Sequence, residues 1–182
     1  MKETDDAAIF EMMKDSVSRD KGFMLLMDKY KKPIYWHIRR LVITHEDAED
    51  ILQETFIQVY RFAASFKGES KVYTWLYRIA TNECIRHFRN KGKIEYSEDQ
   101  DSDEYEGEPF EYGFVDGDEI MQKFHLAIST LPERQKIVFN LRYFDEMSYE
   151  DIGQVLNSSV NALKTNYHYA SEKIRQYLVQ NV

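Results

Sequence analysis

The chain has little of what most often staples or interrupts a fold. Its one cysteine, Cys84, allows no intrachain disulfide and no cysteine-based metal cluster, and a reducing, cytoplasmic setting is the default expectation. Three prolines and seven glycines are few for 182 residues, which favours long helices over turn-rich sheets. No apolar run approaches the roughly 20 residues that span a membrane. The N-terminal MKETDDAAIF is acidic and lacks a basic region followed by an apolar stretch, so it does not read as a signal peptide. What is present is a hydrophobic fraction of 43%, enough for a core, in a length that fits one domain or two small ones.

The net charge of −8 argues against a nucleic-acid partner until its distribution is read. Residues 22–93 carry 13 Lys and Arg against 8 Asp and Glu, whereas residues 94–122 carry 12 carboxylates and no cation. Such asymmetry says more than the total. Residues 94–118 hold three Gly and one Pro among these carboxylates, so like charges repel and little apolar surface is available to bury. They are expected to form an acidic linker between two units, 1–93 and 119–182.

Both units show apolar residues at three- and four-residue spacing, and the expected fold class is all-α, as two small helical domains. In the first unit, Phe23, Leu26, Met27, Tyr30, Ile34 and Ile38 make one stripe, and Ala48, Ile51, Leu52, Thr55 and Val59 another. Thr44 is placed to cap the second helix, with Asp47 three residues on. Lys67 to Ser70 interrupts the pattern, and Ser70 is expected to cap a further helix ending near Asn90. In the second unit, helices are expected over 119–130, 133–143, 148–156 and about 159–178, with Pro132 and Ser148 at helix starts.

The run Phe66 to Lys93 concentrates aromatic and basic residues in an acidic chain. Trp75, Arg78, Asn82, Arg86 and Arg89 recur at helical spacing on one face, with Leu76, Ile79, Ala80, Cys84 and Phe88 mostly opposite. Bases stack on rings and phosphates meet guanidiniums, so this face suits an unpaired nucleic-acid strand. The preceding Gly-containing loop, Lys67 to Val72, suits close approach to a base turned out of its stack. Spacing alone equally allows an ordinary amphipathic helix with a solvated basic face and Trp75 in the core. In the second unit, Ile152, Val155 and Leu156 pack one short helix, Asn157-Ser158-Ser159 turns the chain, and Val160 and Leu163 anchor the next. Ser159, Asn161, Lys164, Thr165 and His168 then face outward near its start, as in the recognition helix of a helix-turn-helix. A plain helical hairpin fits the same pattern.

Three segments taken in series carry a family resemblance: HEDAEDILQETFIQVYRF (45–62), FKGESKVYTWLYRIATNECI (66–85) and LPERQKIVFNLRYFDEMSYEDIGQVLNSSVNALKTNYHYA (131–170). They resemble bacterial RNA polymerase sigma factors of the sigma-70 family, in its extracytoplasmic-function (group IV) branch. The WHIRR and ALKTNYHYA stretches are most similar to members from Bacteroidetes. The resemblance implies a subunit without enzyme activity, metal or cofactor that binds core RNA polymerase and selects and opens promoter DNA. It implies core-polymerase contacts at Asp50, Gln53, Glu54, Phe56 and Tyr60. It implies −10 contacts by the loop Phe66, Lys67, Gly68, Glu69, Ser70, Lys71 and Val72, with Trp75, Arg78 and Asn82 behind it. Arg86 and Arg89 extend that face. Contacts to the −35 duplex are implied at Ser159, Asn161, Lys164, Thr165 and His168. An anti-sigma factor is implied as a further partner. The recognition helix has Asn166 where relatives often have Arg, and Tyr167, His168 and Tyr169 are neutral, so fewer phosphates are neutralised there.

Two other function classes fit parts of the chain. A one-component helix-turn-helix regulator fits the second unit but leaves the aromatic-basic run of the first without a use. A metal enzyme is suggested by His45-Glu46-Asp47 with Glu49 and Asp50, but the pair lacks a second His at ligating spacing. Carboxylates at a helix start are more simply partners of the helix dipole. The acidic linker fits a nucleic-acid mimic as well as it fits a soluble spacer.

Overall fold

The computed structural model describes residues 5–42, 44–95 and 119–181, and among them all regular structure is helical. The order is α1 (Asp6–Lys14), α2 (Arg19–Leu41), α3 (His45–Phe62), a single 3-10 turn (Ala63–Ser65), α4 (Val72–Glu95), α5 (Glu119–Ser129), α6 (Glu133–Tyr143), α7 (Tyr149–Leu156) and α8 (Val160–Asn181). The chain divides into two compact units, Met1–His87 and Phe88–Val182, with the boundary inside α4. The expected linker over 94–118 overlaps α4 at Ile94 and Glu95, and its remainder lies outside the described residues.

In the first unit the two apolar stripes face each other. Leu26, Ile34, Ile38, Ala48 and Val59 are fully buried, while Phe23 and Met27 stay half-exposed at the rim. Thr44 caps α3 as expected, its hydroxyl accepting the Asp47 backbone N–H at 3.0 Å. Helix α4 closes the bundle through Leu76, Ala80 and Cys84. It also carries a buried polar link that the periodicity does not reveal: the His37 ring on α2 hydrogen-bonds the Thr81 hydroxyl at 3.0 Å and packs on Tyr77. Ser70 is not the cap of α4. The Trp75 N–H bonds the Lys71 carbonyl at 3.1 Å, which moves the start one residue on. The helix also runs past Asn90 to Glu95, since no proline follows to stop it.

Helix α1 has no counterpart among the helices expected from the sequence. Its acidic setting hid a short apolar face, Ile9, Phe10 and Met13, all buried against α2 and the 3-10 turn.

In the second unit α8 is the axis on which α5, α6 and α7 pack. Ala127, Ile128, Leu131, Phe139, Ala170 and Ile174 form its core, extended by Phe124, Phe144 and Tyr167. Ser148 caps α7, accepting the Asp151 N–H at 3.0 Å and donating to its carboxylate at 2.8 Å. Val160 and Leu156 are half-buried, so the anchoring of the turn falls mainly on Leu163, Ile152 and Val155.

Candidate nucleic-acid and partner interface

Three surfaces hold the residues singled out above. The first is an open groove of about 740 Å³ between α2 and α3, lined by Asp50, Gln53, Phe56 and Tyr60 from α3 and by Phe23 and Met27 from α2. Phe56 is nearly buried and forms part of the floor, and Ile57 stands exposed beside it. Glu49, Asp50, Lys31 and Arg61 line the same groove around its apolar centre, so it offers both charge signs around a hydrophobic strip. Phe23 and Met27 were legible only as core, because a stripe that half-lines a groove has the same period as one that is buried.

Tyr60 is held by Arg19 and Asp20, neither of them among the expected site residues. Arg19 donates to its backbone carbonyl at 2.6 Å and lies 4.1 Å over its ring, and the Tyr60 hydroxyl donates to Asp20 at 2.7 Å. That hydrogen bond to a carboxylate, with burial, raises the phenol above its ordinary pKa. Glu54 is not in the groove. It receives a hydrogen bond from Gln58 at 2.7 Å and faces Arg86 of α4 at 3.7 Å.

The second surface is the loop before α4 and the face that follows it. Lys67, Gly68, Glu69 and Lys71 are exposed, Phe66 and Ser70 are half-buried, and Val72 is buried. Gly68 has φ 75°, a conformation that a side chain would strain, and no atom crowds its α-carbon. The loop is thus a polar tip held at both ends by apolar anchors. Trp75 does not join the exposed face: at 6% exposure it is core, with the Phe10 ring 5.5 Å and the Phe66 ring 5.2 Å from its own. Its large apolar area favours burial once α1 supplies a partner. Arg78, Asn82, Arg86 and Arg89 are exposed as expected, but Arg86 is committed to carboxylates, pairing with Glu83 one turn back and with Glu54 across on α3.

The third surface is the turn and first turns of α8. Asn157 is left-handed at φ 48°, ψ 55°, and its N–H returns to the Gly153 carbonyl. A Cβ on Gly153 would lie 2.9 Å from the Ser158 carbonyl oxygen, so the turn closes tightly only over a glycine. Ser159, Asn161, Lys164, Thr165 and His168 are all exposed. The Ser159 hydroxyl accepts the Ala162 N–H at 3.3 Å and the Thr165 hydroxyl donates to the Asn161 carbonyl at 3.0 Å, which leaves Asn161, Lys164 and His168 as the freer contact groups. Arg134, absent from the expected set, donates to the Ser158 hydroxyl at 3.0 Å and adds an exposed cation at the turn. Among the described residues no group of three His, Cys, Asp or Glu side chains could hold a metal ion. His45 instead meets the Tyr35 hydroxyl at 2.8 Å and Glu49 at 4.0 Å.

Comparison with known proteins matches two stretches of the chain to a family. Residues 26–94 match the model of sigma-70 region 2 and residues 121–174 that of sigma-70 region 4. The RNA polymerase sigma-H factor of Pseudomonas aeruginosa is 35% identical over 168 residues, covering 87% of this chain and 86% of the relative. The chain belongs to the sigma-70 family of RNA polymerase sigma factors, in its extracytoplasmic-function branch. The sigma factor SigW of Bacillus subtilis is 35% identical over 168 residues (86% and 89% covered). The sigma-E factor of Escherichia coli is 33% identical over 165 (85% of each). Two solved structures share the fold of this sigma factor. RpoE of Bartonella quintana, in complex with the anti-sigma factor NepR, has a TM-score of 0.70 at 23% identity over 87% of this chain and 97% of that one. CnrH with the cytosolic domain of CnrY has 0.71 at 18% over 97% and 99%. As a sigma factor the protein binds core RNA polymerase and directs promoter recognition. The match over region 2 disfavours a regulator that works without polymerase.

Proposed function

We propose that the groove between α2 and α3 is where this sigma factor grips core polymerase, through Asp50, Gln53, Phe56 and Tyr60. The Phe66–Val72 loop, with Arg78 and Asn82 behind it, then takes the unpaired −10 strand, and the start of α8 reads the −35 duplex. The domain division that goes with this is 1–93 for polymerase and −10 binding, 94–118 for the linker and 119–182 for −35 binding. Trp75 contributes by holding Phe66 and the loop in place rather than by stacking on a base. The supporting observation is the left-handed Asn157 turn closing over Gly153, which exposes the five polar residues at the start of α8 together. On this reading the protein works in the cytoplasm, performs no catalysis itself, has an anti-sigma factor as a further partner, and derives from the Bacteroidetes lineage.

Promoter-dependent transcription with purified core polymerase and fragments of the source genome is the test. Transcripts are expected from a restricted set of start sites. Replacing Asn161 by Ala should broaden the −35 preference, and replacing Lys164 by Ala should weaken all sites about equally. Intact core binding with no start site used at all would refute the reading.

A further inference from the structure

Arg19 is the first residue of α2, an end where the helix dipole disfavours a cation. Its guanidinium turns instead to the last turn of α3, where a cation is favoured. There it donates to the Tyr60 carbonyl at 2.6 Å and lies 4.1 Å over the Tyr60 ring. Its Nε is buried without a hydrogen-bond partner among the described residues, a cost that the contacts to Tyr60 offset. Asp20, the next residue, accepts the Tyr60 hydroxyl at 2.7 Å. Two successive side chains thus hold the backbone, the ring face and the phenol tip of one residue. Their mount is firm. Just before α2, the Ser18 hydroxyl donates to the Asp15 carboxylate at 2.8 Å. At Gly22, α2 comes so close to α1 that a Cβ would lie 2.9 Å from that of Met12. The ring so held stands edge-on to Phe23, centres 5.0 Å apart, and Phe23 stands edge-on to Phe56 at 6.2 Å. With its hydroxyl spent on Asp20, Tyr60 offers the groove an apolar ring.

We propose that Arg19 and Asp20 are positioning residues for the polymerase grip: they fix the Tyr60 ring edge-on to Phe23, so that an apolar side chain of the polymerase meets preset aromatic walls. A wall ordered before binding spares the complex the entropy of ordering it. Neither residue touches the polymerase on this account; both act through Tyr60. The inference rests on the assignment of the groove to core polymerase made above.

The test is affinity of the full-length protein for purified core polymerase, measured by competition with a fluorescent wild-type chain. Arg19→Ala and Asp20→Ala should each weaken binding about two- to tenfold, the cost of ordering one side chain on association. Asp20→Asn makes the same change in charge as Asp20→Ala but keeps an acceptor for the phenol, and should bind nearly as the wild type does. Asp20→Asn as weak as Asp20→Ala overturns the hydrogen-bonded role of Asp20. Tyr60→Phe leaves the ring and removes only its bond to Asp20. It should lose as much as Asp20→Ala, and combining the two should lose no more. Likewise Arg19→Ala added to Tyr60→Ala should bind no more weakly than Tyr60→Ala alone. Losses that add in either pair show direct contact with the polymerase and overturn positioning. Tyr60→Ala weakened, with Arg19→Ala and Asp20→Ala as tight as the wild type, overturns the clamp alone. Tyr60→Ala as tight as the wild type removes Tyr60 from the polymerase grip, and the clamp with it. Thermal unfolding of each variant by circular dichroism separates these outcomes from misfolding.

Discussion

Cys84 is sealed in the core of the first unit, and burial raises its thiol well above the ordinary range. The thiolate is the reactive form, so the folded protein should resist alkylation at about pH 8. Labelling should appear only with denaturant, at the rate of unfolding, and modification of fully helical protein would contradict this placement. Trp75 has the same character on a larger scale. Replacing it by Ala empties a site packed by Phe10 and Phe66 and should cost about 3–5 kcal/mol in urea unfolding. Asn82, exposed on the same helix, should cost less than about 0.5 kcal/mol when changed to Ala. Yet its loss should impair strand opening, read with a fluorescent base at the melted position. Equal stability losses in the two variants would show that Asn82 is structural.

Among elements, the turn from α7 to α8 makes the sharpest demand on residue type. Gly153→Ala drives a methyl to 2.9 Å from the Ser158 carbonyl, and overpacking against backbone should cost about 1–3 kcal/mol. Asn157→Ala should cost about 1 kcal/mol for the left-handed conformation, while Asn157→Gly should be neutral or stabilising. Differential scanning calorimetry of the three variants checks the order. Elements of this kind were legible in the sequence because their signals are local: Thr44 and Ser148 announce caps, and Asn157 announces a turn. Helix α1 was not legible because nine residues with a short apolar face among charges give a weak period. The sequence left the burial of Trp75 open, as one of two equal alternatives, for a related reason. Its partner Phe10 lies far off in sequence, and helical spacing cannot tell a half-buried face from a solvated one. The groove escaped for the opposite reason, since Phe23 and Met27 keep the period of a core while standing at its rim.

For the whole molecule, the feature that governs behaviour is that its 24 Lys and Arg are outnumbered by 32 carboxylates and unevenly used. The start of α8 offers Lys164, with Arg134 beside the turn, so on the proposed −35 role few phosphates would be neutralised there. Promoter complexes of the holoenzyme should therefore lose little affinity through Lys164→Ala at physiological salt. The log–log salt slope should fall by about 0.9, the share of one duplex phosphate. A drop of several phosphates' worth would mean that Lys164 orders the interface rather than contributing a single charge. Among the described residues no helix is long and apolar enough to cross a membrane.

The loop before α4 divides its labour between anchors and tip. Phe66 and Val72 do the packing, while Lys67, Gly68, Glu69 and Lys71 stand in solvent and ask of folding only that position 68 accept a positive φ. A segment with that division behaves as an exchangeable cartridge. Its tip can drift, or be transplanted between related chains, at almost no cost to the helices that carry it. On the proposed −10 role of the loop, new promoter preferences are reachable by short loop changes, without any intermediate that fails to fold.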